Sequence, residues 1–291
     1  MAASIDARPV SATAPQARTG RYYRRFGPLE RAMHVGMMFS FLGCALSGVP
    51  LLFPYAGWAR FIAELMGGFE GAALVHRSSA VLMGVVFAAH IFQFLWRGLG
   101  SGSLLTVLWG PDSLVPQWKD ATDFYQHIKY FLGLGPRPKF DRYTYWEKFD
   151  YMAVFWGMFI IGGAGLMLWF FEELSPWVPG WVFNVATLVH GHEALLAVGF
   201  IFTIHFFNSH LRAEKFPMDK VIFTGRLTEH ELKDERPLEY ERLVREGRLQ
   251  SIEDSAPGMA DLLFARIVGG AGLVLGLIVI VLMIYSLLAP H

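Results

Sequence analysis

The chain has 291 residues, 54% of them hydrophobic, with 25 basic and 25 acidic side chains. A mean hydropathy of +0.37 is too apolar for an ordinary soluble domain and points to a polytopic membrane protein, while the balanced charge implies no nucleic-acid partner. The single cysteine, Cys44, excludes a disulfide within the chain, covalent c-type haem attachment through Cys-x-x-Cys-His, and any four-cysteine metal site.

In chain order, residues 1–20 are rich in Ala, Ser, Thr and Pro and are expected to form a disordered tail, part of an N-terminal cytoplasmic segment over 1–30. The twin arginine of "YYRRFG" precedes an apolar run too long for a signal sequence, so no cleaved leader is expected. Apolar segments at 33–53, 71–96, 151–171, 183–208 and 262–288 are long enough to cross a bilayer as helices. The first four, within 31–208, form the expected core. Its 97–150 loop holds "DATDFYQHIKYFLGLG", which predicts an amphipathic helix on the membrane surface or under a partner. A charged segment at 209–261 predicts one or two short soluble helices. His127 and His230 fall in these polar segments and are expected at the surface.

Charge orients the spans. Arg21, Arg24, Arg25 and Arg31 precede the first, and the 97–150 and 209–261 segments are rich in Lys and Arg. The remaining loops carry Arg60 alone, or Glu172 and Glu173 without a base. The basic side is cytoplasmic by the positive-inside rule, which places the N-terminus inside and the C-terminus outside. In a bacterium this is the inner membrane, with the C-terminus periplasmic. Trp58, Trp177 and Trp181 suit an outer interfacial belt.

The histidines sort by depth. Ionisable groups at membrane depth are costly and usually functional. His76 and His190 lie toward the outer side, and His90 and His205 toward the inner side, with His34 at the inner mouth of the first span. Each pair on one span is separated by about 21–22 Å. At about 100° per residue, His76 and His90 differ by about 40° and His190 and His205 by about 60°, so each pair shares a face. His192 and His210 each lie about 140° from His205 and are expected to point together, away from that face. Paired imidazoles from facing helices at two depths are what b-type haems require. The expected fold is therefore an all-α integral membrane protein: a four-helix transmembrane bundle holding two b haems, plus a fifth C-terminal span. Gly36, Gly43, Gly48, Gly84, Ala88, Ala89, Gly191, Ala194, Ala197 and Gly199 leave room for a flat cofactor.

"ERAMHVGMMFSFLGCALSGVPLLF" followed by "VHRSSAVLMGVVFAAH" resembles the cytochrome b (gamma) subunit of respiratory formate dehydrogenases, and the related subunits of nickel–iron hydrogenases and thiosulfate reductases. The resemblance covers roughly 22–215, and "YWEKFDYMAVFWGM" matches the family's entry to the third span. It implies an outer haem between His76 and His190 and an inner haem between His34 and His205. It implies a quinone, menaquinone or ubiquinone, beside the inner haem. Electrons would pass between the quinone pool and an extracytoplasmic iron–sulfur or catalytic partner, the chain having no substrate-converting site of its own.

The sequence departs from the family in four places. His90 is extra, so the inner ligand opposite His205 is His34, which the family pattern favours, or His90. The ligand left over would bond a quinone carbonyl or relay its proton. The spacing in the fourth span is one residue longer, which a π-bulge near Gly191 would absorb. There is a fifth span. "HFFNSHLRAEKFPMDK" extends the core and resembles cytochromes b with multihaem c-type partners. Weaker candidates keep two readings each. Arg77 pairs a haem propionate or snorkels to the interface. Glu193 pairs Arg77 or faces outer solvent. Asn208, His210, Arg212 and Lys215 form a quinone or propionate cluster, or an ordinary charged helix end. Two competing classes remain, a haem-free transporter with a histidine proton relay and a structural anchor subunit.

Overall fold

A computed structural model describes residues 20–100 and 103–288; the expected tail over 1–19 lies outside them. Among the described residues five helices are long and apolar enough to cross a membrane: Pro28–Leu52, Gly68–Gly100, Tyr145–Trp169, Gly180–Leu211 and Met259–Leu288. They are called here the first to fifth spans. Each overlaps an expected segment and extends it on the basic side.

Local chemistry sets the starts of these helices. Pro28 occupies the first turn of the first span, where a missing N–H costs nothing, and the Glu30 carboxylate accepts from the Gly27 N–H at 2.5 Å. The third span opens on a capping box. The Glu147 carboxylate accepts from the Thr144 N–H at 2.8 Å, and the Thr144 hydroxyl accepts from the Glu147 N–H at 3.3 Å.

The first and second spans pack along their length, as do the third and fourth. The fifth lies against the first and fourth. Leu42, Ala45 and Val49, with Val198, Phe202 and Phe206, and with Val279, Ile280 and Met283, form one buried cluster. Gly276 permits this approach, because a Cβ there would stand 2.5 Å from the Phe202 ring. Trp58 Nε1 donates to Ser286 Oγ at 2.9 Å and ties the far end of the fifth span to the short helix Gly57–Leu65 after the first.

At the basic end the polar segments fold together. Strand β1 (Tyr22–Arg24) pairs antiparallel with β2 (Arg226–Thr228) on one side and β3 (Glu253–Asp254) on the other. The last part of the expected 1–30 tail is thus a central strand leading into a helix. Both of its edges are hydrogen-bonded, and Tyr23 is buried against Leu227 and Leu232. Gly225 makes the turn into β2 in a left-handed conformation (φ +77°), and its carbonyl accepts from Arg25 N–H at 2.8 Å. The two soluble helices expected in 209–261 are Glu229–Glu235 and Pro237–Arg245.

Buried ions fasten this layer. Arg25 meets Glu239 at 3.2 Å, and Arg142 reaches the second Glu239 oxygen at 2.9 Å. Arg236 and Arg25 both approach Glu147, at 2.9 and 3.6 Å. The strand before the first span, the loop before the third and helix Pro237–Arg245 are joined by these pairs.

His127 corrects one expectation. It is buried, stacked on Phe131 (centroids 4.4 Å), with Nδ1 3.1 Å from the Tyr145 hydroxyl. Burial, with Arg137 and Arg212 adding, pushes its pKa below the usual value. The cause is the amphipathic helix Trp118–Phe131, which lays its polar side on the first turn of the third span. There Asp120 pairs with Lys148 at 2.9 Å. Its apolar side, with Trp118 92% and Tyr125 64% exposed, faces outward. His230 is exposed, as expected.

Truncating Glu239 to Ala strands two arginines. The expected loss is about 3–5 kcal/mol, read as thermal unfolding of the detergent-solubilised chain. The exposed neighbour Glu241→Ala is expected to stay within about 0.5 kcal/mol. Equal losses in the two variants would mean that the cluster adds no stability.

Candidate functional site

Two clusters of imidazoles occupy the two depths. In the first, His76 of the second span and His190 of the fourth meet with ring centroids 6.0 Å apart and planes at 82°. Their seats are alike. His76 Nδ1 lies 3.2 Å from the Cys44 carbonyl, and His190 Nδ1 lies 2.9 Å from the Ile161 carbonyl. A carbonyl can only accept, so each Nδ1 carries the proton and each Nε2 keeps its lone pair. Four residues beyond each carbonyl stands a glycine, Gly48 or Gly165. A Cβ there would come 2.9 Å from Cε1 of His76 or His190 respectively. The missing side chains uncover the two carbonyls, whose second lone pair accepts the imidazole alongside the helix bond. Ser47 Oγ, 3.2 Å from His76 Nδ1, completes the first seat.

At the other depth a cavity of ≈ 360 Å³ opens between the two helix pairs, with His34, His90, His205 and His210 in its wall. His205 Nδ1 lies 2.9 Å from Asp150 Oδ2. His90 Nε2 lies 2.8 Å from the Tyr151 hydroxyl. His34 Nδ1, His210 Nδ1 and Asp150 Oδ1 are buried without a partner. Asn208 and Arg212 share this wall. Arg212 lies over the Trp146 ring at 5.7 Å, with its Nε buried and unpartnered. Lys215 lies at the polar end of the wall and belongs to the soluble segment, where it meets Glu235 at 2.6 Å and Asp219 at 3.3 Å. Burial opposes its charge, but Asp219, Glu235 and Glu231 more than offset this and raise its pKa.

The fourth span departs from the expected geometry. It widens into a π-turn at Ile201–His205, followed by a second at Phe207–Leu211. Gly191, the expected place, lies in regular α-helix. A π-turn advances roughly 80–90° per residue, so His210 falls roughly 40–90° from His205 rather than 140°. The rings of His205 and His210 are accordingly 6.4 Å apart. His192 points elsewhere: it is exposed and bonds the Leu188 carbonyl of its own helix at 2.8 Å.

One further expectation changes. Glu193 does not reach Arg77; its carboxylate accepts from Trp156 Nε1 at 3.1 Å. Arg77 lies over the Trp169 ring at 5.4 Å. Sequence reasoning missed Asp150, Tyr151 and Gly165. Asp150 carried a signal, the last charged residue before the apolar stretch of the third span. The backbone carbonyls of Cys44 and Ile161 carried none.

Among the described residues no three His, Cys, Asp or Glu side chains converge as a closed metal-ion site would need. The first cluster offers a pair of imidazoles instead. The rings of His76 and His190 would be the residues to hold a metal or metal-bearing cofactor here, through the nitrogens left free by their carbonyl bonds. Comparison with models of known protein families and with curated proteins finds no match. Function is therefore argued from the residues.

Gly48→Ala and Gly165→Ala each press a methyl on an imidazole and are expected to destabilise the chain by about 1–3 kcal/mol. Gly163→Ala, with open space at its Cβ, serves as the control in the same span and is expected to unfold at or above the wild-type temperature. Unfolding temperatures that rank the three variants equally would remove the role given to the seats.

Proposed function

We propose that the chain is a dihaem, quinone-reactive cytochrome b, the membrane subunit of a bacterial respiratory oxidoreductase. In this reading the first four spans are a four-helix bundle around two b haems. The chain lies in the inner membrane with its basic layer cytoplasmic and its C-terminus periplasmic. The observation that carries the reading is the His76–His190 pair. Two imidazoles from different helices stand 6.0 Å apart, each with Nδ1 already bonded to a carbonyl. A neutral imidazole held this way presents Nε2 as a ligand and cannot turn away.

His76 and His190 would hold the outer haem. His205 would hold the inner one opposite His34, since the Nε2 of His90 is already bonded to the Tyr151 hydroxyl. Bound at these two levels, haem supplies a one-electron carrier on each side of the membrane. The protein's own share is orientation and exclusion. The carbonyl seats fix the outer rings, Asp150 fixes His205, and the apolar walls, Phe87 against Phe155 (5.1 Å) among them, keep water from the space between. Arg77 and Arg212 are cations placed for propionates. The His90–Tyr151 pair, His210 and Asn208 line the cavity as hydrogen-bond partners for a quinone head group, and they can hand protons to it from the polar layer. A redox partner on the outer side, an iron–sulfur or multihaem c-type subunit, completes the path between it and the quinone pool.

The purified chain is expected to show a reducible b-type α-band and two haems per chain by pyridine haemochrome assay. His190→Ala is expected to retain one. His205→Ala should also retain one, and His34→Ala should match it, with His90→Ala keeping both. A chain devoid of haem would sink the proposal in favour of a haem-free proton relay. Haem loss in His90→Ala but not His34→Ala would move the inner ligand to His90.

A further inference from the structure

The two histidine levels differ in what stands behind the imidazole. His76 and His190 donate to neutral backbone carbonyls, at 3.2 and 2.9 Å. His205 instead meets a carboxylate, Asp150 Oδ2, at 2.9 Å, with the Asp150 side chain 13% exposed. Among the described residues no Lys or Arg pairs with Asp150, and its other oxygen is buried without a partner. The negative charge is therefore directed at the imidazole and not neutralised beside it.

We propose that Asp150 is a positioning residue that makes the two haem sites inequivalent, holding the reduction potential at His205 below the value a carbonyl seat would give. This rests on the dihaem reading. A hydrogen bond from Nδ1–H to a carboxylate raises the basicity of Nε2, as second-shell carboxylates do for metal-bound histidines. A more basic ligand and a nearby negative charge both favour the oxidised iron, which carries one more positive charge than the reduced form. Low dielectric strengthens the effect, since little solvent intervenes. The outer seats exert no such pull, because a carbonyl has no net charge. The same bond fastens the third span to the fourth, so a purely structural role would change stability and haem retention without moving a potential.

The test is a dye-mediated redox titration of the purified full chain with its haems, followed at the α-band. Asp150→Asn keeps an acceptor for Nδ1–H and removes the charge. The expected result is two haems retained, one midpoint potential raised and the other unmoved. Asp150→Glu keeps the charge and is expected to titrate close to wild type. In a His190→Ala background, which leaves the inner haem alone, the remaining component must be the one that shifts. Two bound haems with unmoved potentials in Asp150→Asn overturn the proposal, as does an equal shift of both. Should Asp150→Asn lose a haem, Asp150→Ser, a second neutral acceptor, decides. An inner potential raised above wild type in that variant supports the role, and an unmoved one overturns it. A wild-type chain without haem overturns the dihaem reading beneath it, a result distinct from two haems that ignore residue 150.

Discussion

An imidazole inside an apolar helix is stabilised by a partner for its N–H, and His76, His190 and His205 find theirs on a neighbouring span. A buried, unpaired donor costs about 1–3 kcal/mol, and lipid offers no water to relieve it. His76 meets the requirement on the first span, through Cys44. His190 and His205 meet it on the third, through Ile161 and Asp150. These bonds pair second span with first and fourth with third, the same pairs that pack along their length. The space between the pairs is left to the other ring faces and nitrogens, and there the two imidazole clusters lie.

The polar layer at the basic end obeys the complementary rule. Its charges are buried, so they must be matched, and Arg25, Arg142, Arg236, Glu147 and Glu239 satisfy one another across segments far apart in sequence. Such a cluster is a weak source of stability in itself, because desolvation offsets most of its attraction. It does restrict how the segments sit. Arg25, Glu147 and Arg236 also line the cavity, so the device that holds the layer together forms part of the cavity's polar wall as well.

The π-turns of the fourth span connect these two themes. The widened helix still packs Val198, Phe202 and Phe206 on the fifth span. Widening the helix at Ile201–His205 and Phe207–Leu211 keeps that side in place and swings His210 toward His205. A packing constraint on one side of the helix thereby changes the chemistry of the other.

Composition and apolar run length, on their own, determined five helices of spanning length and the polar segments between them, because those features depend on local hydrophobicity alone. The depths of His34, His76, His90, His190 and His205 followed from counting along a helix. Tertiary structure decided the rest. A period of 3.6 residues holds only while the helix stays α, so His210 could not be placed from sequence. His127 is charged-segment sequence by composition yet buried, because its helix turns its polar side inward. Cys44 and Ile161 act through main-chain carbonyls, which every residue possesses and no side chain announces. Asp150 was visible as a letter, but its partner His205 lies on another span, and only the packing of third against fourth brings the two within a hydrogen bond.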